Sequence, residues 1–209
     1  WVATDAYNVN TFDEIVGTAS NTNTLEERAF ILLGYASAAP TFLLLPHTGA
    51  DGDRNFGLDI NDAGSAVGWS EGGGTVVWNW PNYTPFLLNV PNGAAHAFIN
   101  NSGVIATGWG SGNVVFPSSD NGDGTFGYEQ SVVNYYPERH IQGLNEFGLT
   151  CGHQDTITEG KGKNAIVLQE AGAFRFDALT EQIEIVRDGT SFAYDLNNDG
   201  HVVSNFGTG

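Results

Sequence analysis

The segment "PSSDNGDGTFGYE", residues 117–129, crowds Asp120, Asn121, Asp123 and Glu129 into one glycine-bent stretch. A calcium ion takes about six to eight oxygen ligands from flexible carboxylate- and carbonyl-rich loops, so these four residues form a candidate Ca2+ site. The competing reading is a solvated turn, because Asp, Asn and Gly dominate turns for backbone reasons alone.

Two further acidic loops invite the same question. "HTGADGDR" carries His47, Asp51 and Asp53, and "LNNDGHVVS", residues 196–204, follows Asp195 to give an Asp-x-Asn-x-Asp-Gly run. An EF-hand loop needs a bidentate carboxylate at its twelfth place, and counting from Asp195 that place is Phe206. Cys151 with His153 and His140 suggests zinc, but Cys151 fills a slot held by valine in related segments, which reads as a buried thiol.

Trp78, Trp80 and Tyr83 lie in a tryptophan-rich stretch and could stack on sugar rings, against the alternative that they pack a core. "NYT" at Asn82 and "NNS" at Asn100 match the N-glycosylation acceptor pattern. No Gly-x-Ser-x-Gly elbow, phosphate-binding glycine loop or paired-histidine metal motif occurs, so no catalytic residue is assigned.

The chain has 209 residues, with seven Lys plus Arg against 24 Asp plus Glu, a net charge of −17. Such a surface repels phosphate backbones, so nucleic acid is not an expected partner. No apolar run is long enough to span a bilayer as a helix, and a single cysteine excludes an intrachain disulfide. The start at Trp1 fits a processed chain.

These residues hang on a repeated element. "VNTFDEIVG", "INDAGSAVG", "INNSGVIAT", "LNEFGLTCG" and "LNNDGHVVS" share an asparagine, a turn residue three places on, and aliphatics at fixed offsets. The asparagines are Asn10, Asn61, Asn100, Asn145 and Asn197, spaced by 51, 39, 45 and 52 residues. Each segment reads as a hairpin in which Asn starts the turn and Gly64, Gly103, Gly148 or Gly200 takes positive φ; Asp13 replaces that glycine in the first copy. Consecutive apolar residues after the turn, such as Ala66-Val67 and Val202-Val203, suit strands covered on both faces.

Between the hairpins lies a second half of two apolar strands: "AFILL" and "TFLLLP", "TVVWNW" and "PFLLNV", "NVVF" and "QSVVNYY", "NAIVL" and "QIEIV". The spacing predicts one all-β domain, a β-propeller-like repeat protein of four-stranded units. About four complete units are expected, near 28–70, 75–109, 113–154 and 163–205, with a hairpin half-unit over 1–20.

The "AF" or "VVW" strand, the "FLLL" strand and "LDINDAGSAVGWS" resemble the HAF-type extracellular repeats of secreted bacterial proteins. The resemblance implies a propeller-like β fold and an extracellular or cell-surface setting, and it brings no catalytic residues. Five hairpin halves against four strand-pair halves leave one half-unit unpartnered. The chain is then a piece of a longer protein, or the missing strands are degenerate, or a neighbouring subunit supplies them by strand addition. The function expected is a non-enzymatic structural repeat protein that assembles with itself; the alternative is a module that binds or acts on surface polysaccharide.

Overall fold

The structure, a computed structural model, describes the chain apart from residues 49–53, 72–73, 89, 91–95, 109–110, 123–124, 129–132, 138, 160–165, 170 and 206–209. At 111, 133–137, 168 and 169 it describes the backbone alone. Among the described residues every regular element is a strand.

The strands form consecutive antiparallel meanders. The first sheet holds β1 (Val2–Val9), β2 (Ile15–Ser20), β3 (Glu27–Leu33) and β4 (Thr41–Leu44). The second holds β5 (Asn55–Ile60), β6 (Ala66–Ser70), β7 (Gly74–Trp78) and β8 (Pro85–Leu87). The third joins β9 (Ala97–Ile99), β10 (Ile105–Gly108) and β11 (Ser111–Val115) to β14 (Val133–Pro137), with a side hairpin of β12 (Ser119–Asp120) and β13 (Phe126–Gly127). The fourth joins β15 (Arg139–Leu144) and β16 (Leu149–Gln154) to β19 (Gly172–Asp177) and β20 (Gln182–Asp188), with a side hairpin of β17 (Ile157–Glu159) and β18 (Ile166–Gln169). A two-stranded sheet of β21 (Ala193–Leu196) and β22 (Val202–Ser204) follows.

The first four asparagine hairpins therefore each share a sheet with the strand pair that follows. The expected units paired each hairpin with the strands before it, half a repeat out of phase. Residues 1–20 are half of a complete sheet, and the two-stranded half lies at β21–β22. Sequence periodicity is identical in either phase; hydrogen bonding distinguishes them, with β2 pairing with β3 from Ile15↔Leu32 to Ser20↔Glu27.

A second correction concerns "NAIVL". Its described residues, from Ile166, lie in β18, where Ile166 and Val167 are exposed, while the sheet strand is β19, which buries Ala173, Phe174 and Phe176. The apolar run is a strand, but it belongs to the β17–β18 side hairpin and not to the four-stranded sheet.

Neighbouring residues on the central strands face opposite ways and enter different cores, as expected for sheets covered on both sides. Ala66, Val76 and Trp78 pack with Val16, Ala29 and Ile31 of the first sheet. Val67 and Val77 pack with Ile99, Ile105 and Val115 of the third. Ala106 and Val114 then face Ile141, Phe174 and Phe176, and Cys151 and Ala173 face Ala193 and Leu196. Burial of this kind stabilises by about 25 cal/mol per Å² of apolar surface.

In the second and fourth hairpins the first strand is bulged, with register breaks at Gly57/Asp59 and Ile141/Gly143. The bulge pushes a carbonyl towards the second strand. A Cβ on Gly68 would stand 1.9 Å from the Phe56 oxygen, so the glycine is required by space.

Candidate functional site

The turn asparagines do two jobs at once. Oδ1 caps its own turn: Asn100 accepts from the N–H groups of Ser102 at 3.1 Å and Val104 at 2.9 Å, and Asn145 accepts from Phe147 and Leu149 at 3.0 Å each. Nδ2 donates to the main-chain oxygen of the next turn asparagine. Asn10 reaches Asn61 at 2.9 Å, Asn61 reaches Asn100 at 3.1 Å, Asn100 reaches Asn145 at 3.0 Å and Asn145 reaches Asn197 at 3.1 Å.

A parallel rail runs beside this one. The N–H of Thr11 donates to Asp62 Oδ1, that of Asp62 to Asn101 Oδ1, that of Asn101 to Glu146 Oε2 and that of Glu146 to Asn198 Oδ1, over 2.7 to 3.1 Å. The first four turn asparagines are buried, where amide hydrogen bonds count most, and Asn197 is exposed. Among the described residues the Asn197 amide has no acceptor, and no hydrogen bond joins its turn to that of Asn10.

Asp59 is a node between three sheets. Its Oδ1 accepts from the Ile60 N–H at 2.8 Å and from the Asn8 amide, and its Oδ2 accepts from the Ile99 N–H at 2.8 Å. Burial pushes its carboxyl up to about 6, and the hydrogen bonds from Ile99, Ile60 and Asn8 hold back a larger rise.

No protein-family model, curated protein or solved structure matches this chain.

The residues singled out from sequence separate in space. Asp120 Oδ1 accepts from the Gly122 N–H at 2.8 Å, and Asn121 Nδ2 donates to Thr125 Oγ1 at 2.8 Å. Both side chains are thus engaged in the β12–β13 turn; Asp123 and Glu129 lie outside the described residues, as do Asp51 and Asp53.

The aromatic trio is not one surface. Trp78 is fully buried and donates from Nε1 to the Pro46 oxygen at 2.7 Å, so it cannot stack on a sugar. Tyr83 is buried too, whereas Trp80 is 43 % exposed and lies over the turn at Gly64. Trp80 and Phe86 flank a shallow cleft of about 290 Å³ with Asn79, Asn82 and Thr84. Asn82 is exposed; Asn100 is buried with both ends of its amide engaged, which excludes it as a glycan acceptor in the folded chain.

Cys151 is fully buried, and burial pushes its thiol up to about 12, with Asp195 adding to the rise. The histidines near it instead meet Asp155, which the sequence reading passed over. His140 lies directly across from His153 in the β15–β16 ladder, and Asp155 is two residues beyond His153 on the same side of the chain. The imidazoles stack with centroids 4.1 Å apart and planes 8° from parallel. His140 Nε2 is 3.1 Å from Asp155 Oδ2, and Phe192 sets its ring edge to the His153 ring at 4.3 Å. Burial, then the neighbouring His140, brings the His153 imidazole down to about 4 against the opposing pull of Asp155. His140 and His153 are grouped in the sequence already; the signal for the third member is the spacing His153-x-Asp155, and the strand register brings all three together.

Proposed function

We propose that this chain is a secreted, non-enzymatic β-propeller-like repeat protein that serves structurally at a cell surface or in an extracellular matrix, assembling with further copies of itself through the asparagine ladder. The observation that carries this reading is the ladder's polarity: each of the first four turns donates to its successor, and the Asn197 turn holds an exposed donor with no acceptor among the described residues.

The packing around the two outer turns supports it. Val9 is 51 % exposed, while Ile60 and Ile99, at the same place in later copies, are 4 % and 5 % exposed. Val203 is 65 % exposed, while its counterparts Val67, Ala106 and Cys151 are fully buried. The outer turns thus present, uncovered, the positions that bury the joints inside the chain. A second copy placing its first turn against β21–β22 would repeat a contact the fold already makes four times. The resemblance to HAF-type repeats and the net charge of −17 are in keeping with an extracellular setting.

Light scattering across a concentration series, with electron microscopy of the same sample, tests the proposal. The native chain is expected to form oligomers or filaments. Asn197→Asp keeps the Oδ1 cap on the His201 N–H but turns the outward donor into an acceptor, and it is expected to shift the particle to monomer. A native monomer at every concentration would rule the assembly out.

A second reading, polysaccharide binding, draws on the cleft beside Trp80 and Phe86, residues 43 % and 39 % exposed next to Asn79 and Asn82. A glycan array separates the two readings, with Trp80→Ala as the informative variant. Calcium bound by Asp120, Asn121, Asp123 and Glu129 is a compatible part of the structural proposal; a melting temperature unchanged by chelator would remove it.

A further inference from the structure

We infer that His140, His153 and Asp155 form a binding site for a divalent transition-metal ion of the zinc class, at the end of the β15–β16 hairpin opposite the Asn145 turn. The three side chains each bring one ligand atom, and these atoms lie within 4.8 Å of one another. A tetrahedral zinc site with bonds of about 2.0–2.1 Å sets its ligand atoms about 3.3 Å apart, so binding requires side-chain rotation that turns the two stacked imidazoles towards a common point. The His140 Nε2 to Asp155 Oδ2 distance of 3.1 Å is already there.

The backbone holds this geometry. His140 and His153 are a direct cross-strand pair, and Gly152 lets the His140 carbonyl approach so closely that a Cβ would stand 1.8 Å from its oxygen. Phe192 braces the His153 ring from the side. His153 Nδ1 is buried and meets no hydrogen-bond donor or acceptor among the described residues, so that nitrogen is without the partner a buried polar atom normally has. The way in is open at Asp155, whose side chain is 55 % exposed, against 17 % for His140.

Donor chemistry selects the ion. Two imidazole nitrogens and one carboxylate suit zinc, copper or nickel, whereas calcium and magnesium need an oxygen shell these residues do not supply. One carboxylate and two neutral imidazoles leave the site one negative charge, on a chain whose net charge of −17 already attracts cations. Three protein ligands leave a fourth position for water or for a group on another molecule. The bound ion would tie the β15–β16 hairpin to the residue that leaves it, beside the start of the last hairpin.

The site is independent of the assembly proposal, and Zn2+ itself is the probe. Calorimetric titration of the full chain is expected to show one saturable Zn2+ per chain, together with a rise in melting temperature. His140→Ala and Asp155→Asn should each weaken binding by about tenfold or more, at least as much as the loss of an outer-shell partner does. His201→Ala, at an exposed histidine in the last hairpin turn, should bind as the native chain does. Because Asp155 is exposed, its variant is expected to melt like the metal-free native chain, which separates lost binding from lost folding. Co2+ substitution adds a visible absorption band of tetrahedral type. Failure of the native chain to saturate, or equal affinity in Asp155→Asn and His140→Ala, would overturn the inference.

Discussion

Asn61 donates from Nδ2 to the main-chain oxygen of Asn100 at 3.1 Å, across the boundary between the second and third sheets. The same amide caps its own turn through Oδ1, taking the Ser65 N–H at 3.0 Å. One side chain therefore shapes a hairpin and fastens that hairpin to the next, so local and long-range order depend on the same residue.

Asn100→Ala is expected to destabilise the fold by about 2–4 kcal/mol, because it strands the buried Val104 N–H and removes the donor to Asn145. Asn197→Ala loses only the cap on the His201 N–H, at an exposed turn, and should cost about 1 kcal/mol. Urea denaturation midpoints of the two variants test the difference; equal losses would mean that the ladder bond adds nothing to the cap.

Asp59 predicts a particular pH dependence. Burial raises its folded-state value to about 6, above the ordinary carboxylate range. Between roughly pH 4 and 6 the native state keeps a proton that the unfolded chain has released, so this group lowers stability as pH rises through that window. Its penalty is fully present above about pH 6 and is on the order of 3 kcal/mol. Between pH 7.5 and pH 4 the melting temperature of the native chain should rise relative to that of Asp59→Asn on acidification; a constant difference between the two would contradict this.

Two glycines separate crowding from backbone strain. Gly68→Ala drives a methyl group to within 1.9 Å of the Phe56 oxygen, and unfolding or a loss of more than about 3 kcal/mol is expected. Gly148→Ala keeps open space around the new carbon but sits at φ +80°, so a loss of about 1 kcal/mol is expected. Thermal melts of both variants give the comparison.

Trp78 and Trp80 should behave as opposites. Trp78→Ala empties the centre of the core between the first two sheets and breaks the bond to Pro46, for a loss of about 3–5 kcal/mol. Trp80→Ala should leave the melting temperature within a few degrees of the native value. If saccharide binding is found, it should disappear in that variant while the far-ultraviolet circular dichroism spectrum is unchanged.

The hairpins were legible in the sequence because their chemistry is local. Asn10, Asn61, Asn100, Asn145 and Asn197 announce a turn within five residues, and the apolar pairs beyond them announce two-sided burial. The grouping of hairpins into sheets was not legible, since a repeating pattern has no marked beginning and only the β2–β3 pairing fixes its phase. "NAIVL" is richer in apolar residues than "AFRFD", yet the Gly172–Asp177 segment alternates so that Phe174 and Phe176 reach the core. Trp78 and Trp80 are two residues apart, and no local signal told a core ring from a surface one. The His140–His153–Asp155 group depended on a cross-strand register with a bulge at Ile141/Gly143, which shifts the pairing by one residue.

The ladder joint reads only a main-chain oxygen, an atom every residue possesses. A unit can therefore change length, acquire a side hairpin such as β12–β13 or β17–β18, or replace its surface without altering the bond that receives it. The spacings of 39 to 52 residues between successive turns are tolerated on that account. The asparagine bond is thus blind to the side chains of the turn that receives it, and what ties a joint to its neighbour's sequence is the rail beside it, which needs an acceptor side chain such as Asp62, Asn101, Glu146 or Asn198 just after each receiving asparagine.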